Sequence, residues 1–194
     1  MADADKKTRI LFVNTCVRKD SRTHKLAKMV LDTLEGNIEE VRPVEVVAPI
    51  ISEDFIIYRT GATERCDFSD KAFEPARQFA EADIIVIAAP YWDLSFPAIL
   101  KAYIEQINVI GVTFDYTEDG FPRGLCRAKK LIYVTTAGGP IISDEFGFGY
   151  IKSLAEHFYG IHEVCQLKAE GMDVLGADTD KILMDAFENW KKQG

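Results

Sequence analysis

Three short stretches bring together residue types that could do chemistry. The first, Thr15-Cys16-Val17-Arg18-Lys19-Asp20-Ser21-Arg22-Thr23, offers a thiol, hydroxyls, two arginines and a lysine. Hydroxyls and cations beside a helix N terminus, where free N–H groups carry partial positive charge, make a seat for a phosphate group. Ser21 or Thr23 would equally cap such a helix with no ligand present. The second, Pro90-Tyr91-Trp92-Asp93-Leu94-Ser95-Phe96-Pro97, sets aromatic rings among prolines. Such rings can enclose a planar ligand while backbone groups read its polar rim, or they can simply cover the end of a sheet. In the third, Thr135-Thr136-Ala137-Gly138-Gly139-Pro140, paired glycines would let the backbone approach a flat ligand, and a strand-ending turn would use them as well.

Each stretch follows an apolar run, and such runs alternate with segments of helical spacing, the signature of a parallel sheet with helices on both faces. Strands are expected at Arg9 to Asn14, near Glu40 to Val47, at Asp83 to Pro90, at Lys130 to Thr136 and near Glu163 to Ala169. The unbroken apolar run from Ile84 places the third strand at the centre of the sheet. Pro43 cannot donate to a ladder and suggests that the second lies at an edge. Helices are expected over Thr23 to Leu34, Lys71 to Ala82, Ala98 to Val109, about Gly149 to Tyr159 and Asp178 to Lys191. Ile50 to Asp67 is irregular in pattern, and Gly111 to Arg127 is an excursion rich in glycine and aromatic residues. Five strands with right-handed crossovers predict an α/β, flavodoxin-like fold, a five-stranded parallel sheet in the order 2-1-3-4-5. Its ligand crevice lies beyond the carboxyl ends of the strands, where the first and third diverge, and the three chemical stretches are the loops at that place.

A chain of 194 residues favours a single domain over residues 1–194, and 47% hydrophobic with 28% charged residues excludes the disordered and fibrous classes. A net charge of −8 argues against nucleic acid or an anionic membrane as partner, since either needs a dense basic patch. Ile84 to Pro90, the longest apolar run, is too short to span a bilayer, and Met1 to Lys7 has no apolar run behind a basic start, so no secretory leader is expected. Cys16, Cys66, Cys126 and Cys165 lack paired spacing, which argues against a structural zinc site or a CxxC redox pair and for reduced thiols in a cytoplasmic protein, and no metal is expected.

Ile84-Ile-Val-Ile-Ala-Ala-Pro90, Gly111-Val-Thr-Phe-Asp-Tyr-Thr-Glu-Asp-Gly120, Thr135-Thr-Ala-Gly-Gly139, Phe158-Tyr-Gly-Ile161 and Ala169-Glu-Gly171 together resemble the bacterial FMN-dependent NADH azoreductase and NAD(P)H quinone reductase family. The resemblance implies a homodimer with one FMN per subunit that uses NADH or NADPH to reduce quinone, azo or nitroaromatic acceptors. It implies that the FMN phosphate is held at positions matching Cys16 and Ser21-Arg22-Thr23. The flavin ring would lie against Tyr91-Trp92-Asp93-Leu94 after Pro90, and against Thr136-Ala137-Gly138-Gly139. Three positions depart from the family pattern: cysteine for serine at 16 weakens one phosphate contact, aspartate for asparagine at 93 puts a charge near the ring, and alanine at 137 replaces a frequent arginine. Phe114 and Tyr116 are candidate substrate-binding lid residues over a cavity at the subunit boundary, while His157 and His162 read as ordinary polar residues. The expected mechanism is a ping-pong hydride exchange through flavin N5, in which NAD(P)H leaves before the acceptor takes the same face. The protein's part is position and electrostatics, with no catalytic acid or base.

Cys16 to Thr23 also spells Cys-x5-Arg22-Thr23, which is similar to the loop of low-molecular-weight tyrosine phosphatases and arsenate reductases, where a thiolate attacks phosphorus. Asp20 inside an anion loop, the absence of that loop's glycine and asparagine, and the absence of an Asp-Pro-aromatic acid count against this reading. A flavodoxin-like electron carrier is the third class. Phe114 to Phe121 and Ile141 to Tyr150 are more elaborate than a bare carrier needs.

Overall fold

Successive side chains of a strand point to opposite faces of its sheet, and here both faces are apolar. Leu11, Val13, Ile85, Ile87, Leu131 and Tyr133 pack into one buried layer, and Ile10, Phe12, Val86, Ala88, Ile132 and Val134 into a second. Strands buried on both sides in this way belong to a parallel sheet sandwiched by helices.

The computed structural model describes residues 7–46 and 51–192. In chain order the elements are β1 (Arg9–Asn14), α1 (Arg22–Leu31), β2 (Asn37–Val41), α2 (Pro43–Val46), α3 (Glu53–Arg65), α4 (Glu74–Glu81) and β3 (Ile84–Ala88). Then follow α5 (Ala98–Ile107), β4 (Phe114–Tyr116), β5 (Pro122–Gly124), β6 (Lys130–Thr136), α6 (Tyr150–Leu154), β7 (Glu163–Ala169) and α7 (Thr179–Lys191). The main sheet has five parallel strands in the order β2-β1-β3-β6-β7, which is the expected 2-1-3-4-5. Leu26 and Val30 of α1 and Leu183 and Phe187 of α7 cover one face. Phe79 of α4, Tyr103 and Ile104 of α5 and Ile151 of α6 cover the other.

Three local expectations are corrected. β2 lies at the sheet edge, but it ends at Val41, and Pro43 opens α2 instead of sitting in the strand. A helix's first turn has N–H groups without intrahelical partners, so proline costs nothing there. Val47, the end of the strand expected from the sequence, lies outside the described residues. The stretch expected to be irregular holds α3, started by Ser52 accepting from the Phe55 N–H at 3.2 Å and stopped at left-handed Cys66 (φ 51°). It lacks an apolar stripe because only Ala62 on it is buried. The aromatic excursion holds an antiparallel hairpin, β4 against β5. A Cβ at Gly124 would collide with the backbone of Tyr159 and Gly160, so this hairpin presses directly on the chain that leaves the α6 segment. The α6 segment is flanked by wider π-type turns at Glu145–Gly149 and Ala155–Tyr159. Among the described residues no helix is long and apolar enough to cross a membrane.

Candidate functional site

At the carboxyl end of β1 the chain is pinned before it turns toward α1. The Thr15 N–H and hydroxyl both donate to the Ala88 carbonyl at the end of β3, at 3.0 and 2.8 Å. Ser21 then caps α1, accepting from the His24 N–H at 3.3 Å. In the first turn of α1, the Thr23 hydroxyl lies 2.6 Å from that of Thr136 at the end of β6, and both are buried. One of these hydroxyls donates to the other, and the acceptor keeps a proton of its own. The pair therefore brings one spare O–H donor to the junction of two loops.

The second loop folds into a tight turn. Trp92 and Ser95 exchange N–H···O=C bonds of 2.9 and 2.8 Å around Asp93 and Leu94, which have φ values of 50° and 67°. Positive φ at both central residues is the pattern of a type I′ turn, usually made by Asn-Gly. Holding an aspartate and a leucine there costs energy, and strained backbone of this kind gathers at ligand sites. The Tyr91 N–H donates to the Thr136 carbonyl at 3.1 Å, so the second and third loops are joined as well.

The three loops enclose one cavity of about 510 Å³, within the usual range for cofactor pockets. Its basic lining residues are Arg18, Arg22 and Lys25, and its aromatic ones Tyr91 and Trp92. Ser21, Thr23, Pro90, Thr136 and Gly138 complete the expected part of the lining. Val17, Arg18, Asp20, Lys25, Asp173 and Thr179 also line it, although sequence reasoning did not select them as site residues. Arg22 donates to the Met172 carbonyl and to Asp173 Oδ1, both at 2.8 Å, and the second bond, helped by the guanidinium charge, holds the exposed Asp173 carboxyl below the usual carboxylate range. Asp173 comes from the turn after β7, a fourth loop on the same rim, which its sequence surroundings do not mark. Helix N terminus, hydroxyls and cations suit a phosphate, and aromatic rings beside them suit a planar group.

Other expected residues lie elsewhere. Cys16 is 3% exposed and lies against the Ala88 carbonyl at 4.0 Å, outside the cavity lining. Burial pushes its thiol pKa up, the reverse of what a thiolate nucleophile needs. Asp93 and Leu94 shape the turn and are exposed, and Ala137 is buried. A Cβ on Gly138 would collide with Asp173 Oδ2, while one on Gly139 would meet nothing within 4 Å. The close approach at Gly138 is thus to Asp173. Phe114 is 5% exposed and packs edge-on against Tyr116 and Phe158, with centroids 5.5 and 5.1 Å away. Tyr116 is exposed, neither residue lines the cavity, and His157 and His162 are exposed. A second cavity of about 600 Å³, lined by Ser95, Phe96, Phe146 and Tyr150 among others, lacks the α1 N terminus and its cluster of cations.

The flavodoxin-like fold family matches residues 8–193. The chain belongs to that family. Its rim cavity is therefore the crevice at which a flavodoxin-like sheet reverses its strand order. The flavodoxin-like chain is 36% identical over 206 residues to an FMN-dependent NADH:quinone oxidoreductase 2 of Clostridium acetobutylicum, covering 96% of this chain and 98% of that protein. It is 32% identical over 195 residues to an FMN-dependent NADH:quinone oxidoreductase of Clostridium beijerinckii, covering 95% and 96%. Among solved structures it is similar to an azoreductase from Bacillus anthracis, with a TM-score of 0.77, 26% identity and coverage of 96% and 98%.

Proposed function

We propose that this chain binds FMN in the rim cavity and works as an NAD(P)H-dependent oxidoreductase of quinone and azo compounds. The observation that carries the proposal is the convergence of three loops, from β1, β3 and β6, on one cavity lined both by cations and hydroxyls at the start of α1 and by aromatic rings. The names of the clostridial relatives supply FMN, NADH and quinone, and that of the Bacillus anthracis structure supplies azo compounds.

In this reading the N–H groups opening α1, the hydroxyls of Ser21 and Thr23, and Arg18, Arg22 and Lys25 hold the phosphate. Tyr91, Trp92 and Gly138 flank the ring system. The N–H groups of Asp93 and Leu94 are not used by the bonds that close their turn, and they can read the ring's polar rim. When bound, FMN would supply the redox chemistry, hydride transfer from a reduced nicotinamide to the acceptor. The protein's own work is orientation, since reacting atoms must come within about 3 to 3.5 Å.

The chain acts as one flavin-binding domain in the cytoplasm, as a homodimer in which exposed Tyr116 of the β4–β5 hairpin faces the substrate space of the neighbouring subunit. Nitroaromatic compounds fit the same open face. The phosphatase alternative loses its nucleophile, because the Cys16 thiol is buried and its pKa is raised.

The absorption spectrum of the purified protein tests the proposal. Yellow protein that bleaches with NADH and recolours with a quinone is expected. Colourless protein that takes up no FMN at micromolar concentration refutes it, and colour that NADH alone leaves unbleached points to a carrier.

A further inference from the structure

The phosphate seat is shaped by a side chain that does not line the cavity. Asn14, the last residue of β1, is 2% exposed, and its carboxamide makes three hydrogen bonds to three different parts of the chain. Its Oδ1 accepts the Cys16 N–H at 2.9 Å, within the loop that leads to Ser21. Its Nδ2 donates to Glu40 Oε1 on the edge strand β2 at 2.7 Å and to His24 Nδ1 on α1 at 2.9 Å. Only one orientation of the amide satisfies this set. Cys16 N–H needs an acceptor, and the Glu40 carboxylate needs a donor, so the oxygen must face the loop and the nitrogen the other two. His24 then accepts at Nδ1 and carries its proton on Nε2.

We infer that Asn14 is a positioning residue for the phosphate of FMN, and that through it Glu40, on the far edge of the sheet, contributes to FMN affinity. The inference rests on FMN occupying the rim cavity. Besides the Ser21 cap, this one small amide ties the start of the loop to the first turn of α1 and to the edge strand β2. Ser21, Arg22 and Thr23 lie between the two loop-side anchors, Cys16 and His24. Losing the amide leaves the Cys16 N–H, the Glu40 carboxylate and His24 Nδ1 without this partner, and the start of α1 held only by the bonds of Ser21, Arg22 and Thr23. The ring-facing loops at 90–95 and 136–139 are held by other bonds, so the effect falls on the phosphate and not on the isoalloxazine.

Riboflavin, which has the same ring without the phosphate, separates a positioning role from a general loss of structure. FMN and riboflavin affinities are measured by flavin fluorescence on protein stripped of flavin and checked for its wild-type melting profile. For Asn14→Leu, similar in size, FMN binding should weaken by about tenfold while riboflavin binding changes less than about twofold. Asn14→Asp keeps an acceptor for the Cys16 N–H but sets a second carboxylate against Glu40, so it should weaken FMN selectively as well. Adding Glu40→Gln restores a donor opposite the introduced carboxylate, His24 can move its proton to Nδ1, and FMN affinity should return to within about threefold of wild type. Where Asn14→Leu does not fold, Glu40→Ala at the half-exposed edge serves instead, with an FMN-selective loss of about two- to fivefold. Equal losses for FMN and riboflavin, unchanged FMN affinity in Asn14→Leu or Glu40→Ala, or no rescue in the double variant overturns the inference. Wild-type protein that binds no FMN overturns the functional reading itself, a distinct result.

Discussion

The hydroxyl oxygens of Thr23 and Thr136 lie 2.6 Å apart although 113 residues separate them in the chain. The contact joins the first turn of α1 to the end of β6, so one hydrogen bond links the loop proposed to hold the phosphate to the loop proposed to flank the ring. Neither threonine has another side-chain partner among the described residues, and the spare proton of the pair is available to a ligand.

Thr23→Val and Thr136→Val each remove one member of the pair and should each weaken FMN binding about tenfold, the size expected when a buried hydrogen-bonding group loses its partner. The double variant should lose clearly less than the product of the two, because the groups act together. Flavin titration of the four proteins checks this, and independent, multiplying losses would show that the hydroxyls do not work as a pair.

Leu94 is the more strained of the two turn residues, since leucine has no short polar group to support φ of 67°. Leu94→Gly should stabilise the protein by about 1 kcal/mol, raising Tm by about 2–4 °C. A fall in Tm would mean that the Leu94 side chain contributes more than its backbone costs.

Asp93 is exposed and outside the cavity lining, so its carboxylate is not expected to act on the flavin ring. Asp93→Asn should leave the flavin midpoint potential close to that of the wild type. A clear upward shift on redox titration would place the negative charge at the ring instead.

Cys16→Ser should retain quinone reductase turnover, because the buried thiol takes no part in the chemistry. The wild-type protein should show no thiol-dependent hydrolysis of p-nitrophenyl phosphate. Loss of all turnover in the variant, or hydrolysis that it abolishes, would restore the thiolate mechanism.

The loop that leads into α6 is anchored by Asp144, which accepts from Gln166 at 2.8 Å and from Lys168 at 2.9 Å. Burial acts to raise the Asp144 pKa, but these two bonds outweigh it and hold the carboxyl below its usual range. A folded-state pKa below the unfolded one means that this anchor's stability is fully present above about pH 4 and is lost as pH falls through the depressed value. Asp144→Asn should therefore lower Tm at pH 7, and by less as the pH is taken below about 4. A Tm loss that does not shrink as the pH falls would show that the carboxylate's charge is not what anchors the loop.

Much of the fold was legible because burial on two faces leaves a mark in one dimension. Ile84 to Ala88 and Lys130 to Thr136 are apolar wherever the sheet is covered, and the expected bounds of β6 and β7 match those observed. α3 was not legible, since a helix with one buried residue carries no periodicity to read. At the site, Ser21, Thr23, Tyr91, Trp92 and Thr136 were legible as loop residues with suitable chemistry. Asp173 and Asn14 were not. An aspartate in a turn and an asparagine at a strand end are ordinary in any sequence, and what distinguishes them is the partner each meets in space.

By itself, then, the sequence determined the strand order, the rim at which a ligand must sit and the loops that face it, because these follow from apolar periodicity and the handedness of crossovers. Tertiary structure alone decided which residues of those loops reach the cavity. It turned Cys16 inward, tied Arg22 to Asp173, moved Phe114 into the core and set Asn14 between loop, helix and edge strand. Hydrogen bonds and packing between residues distant in sequence depend on distances and directions that only the folded chain supplies.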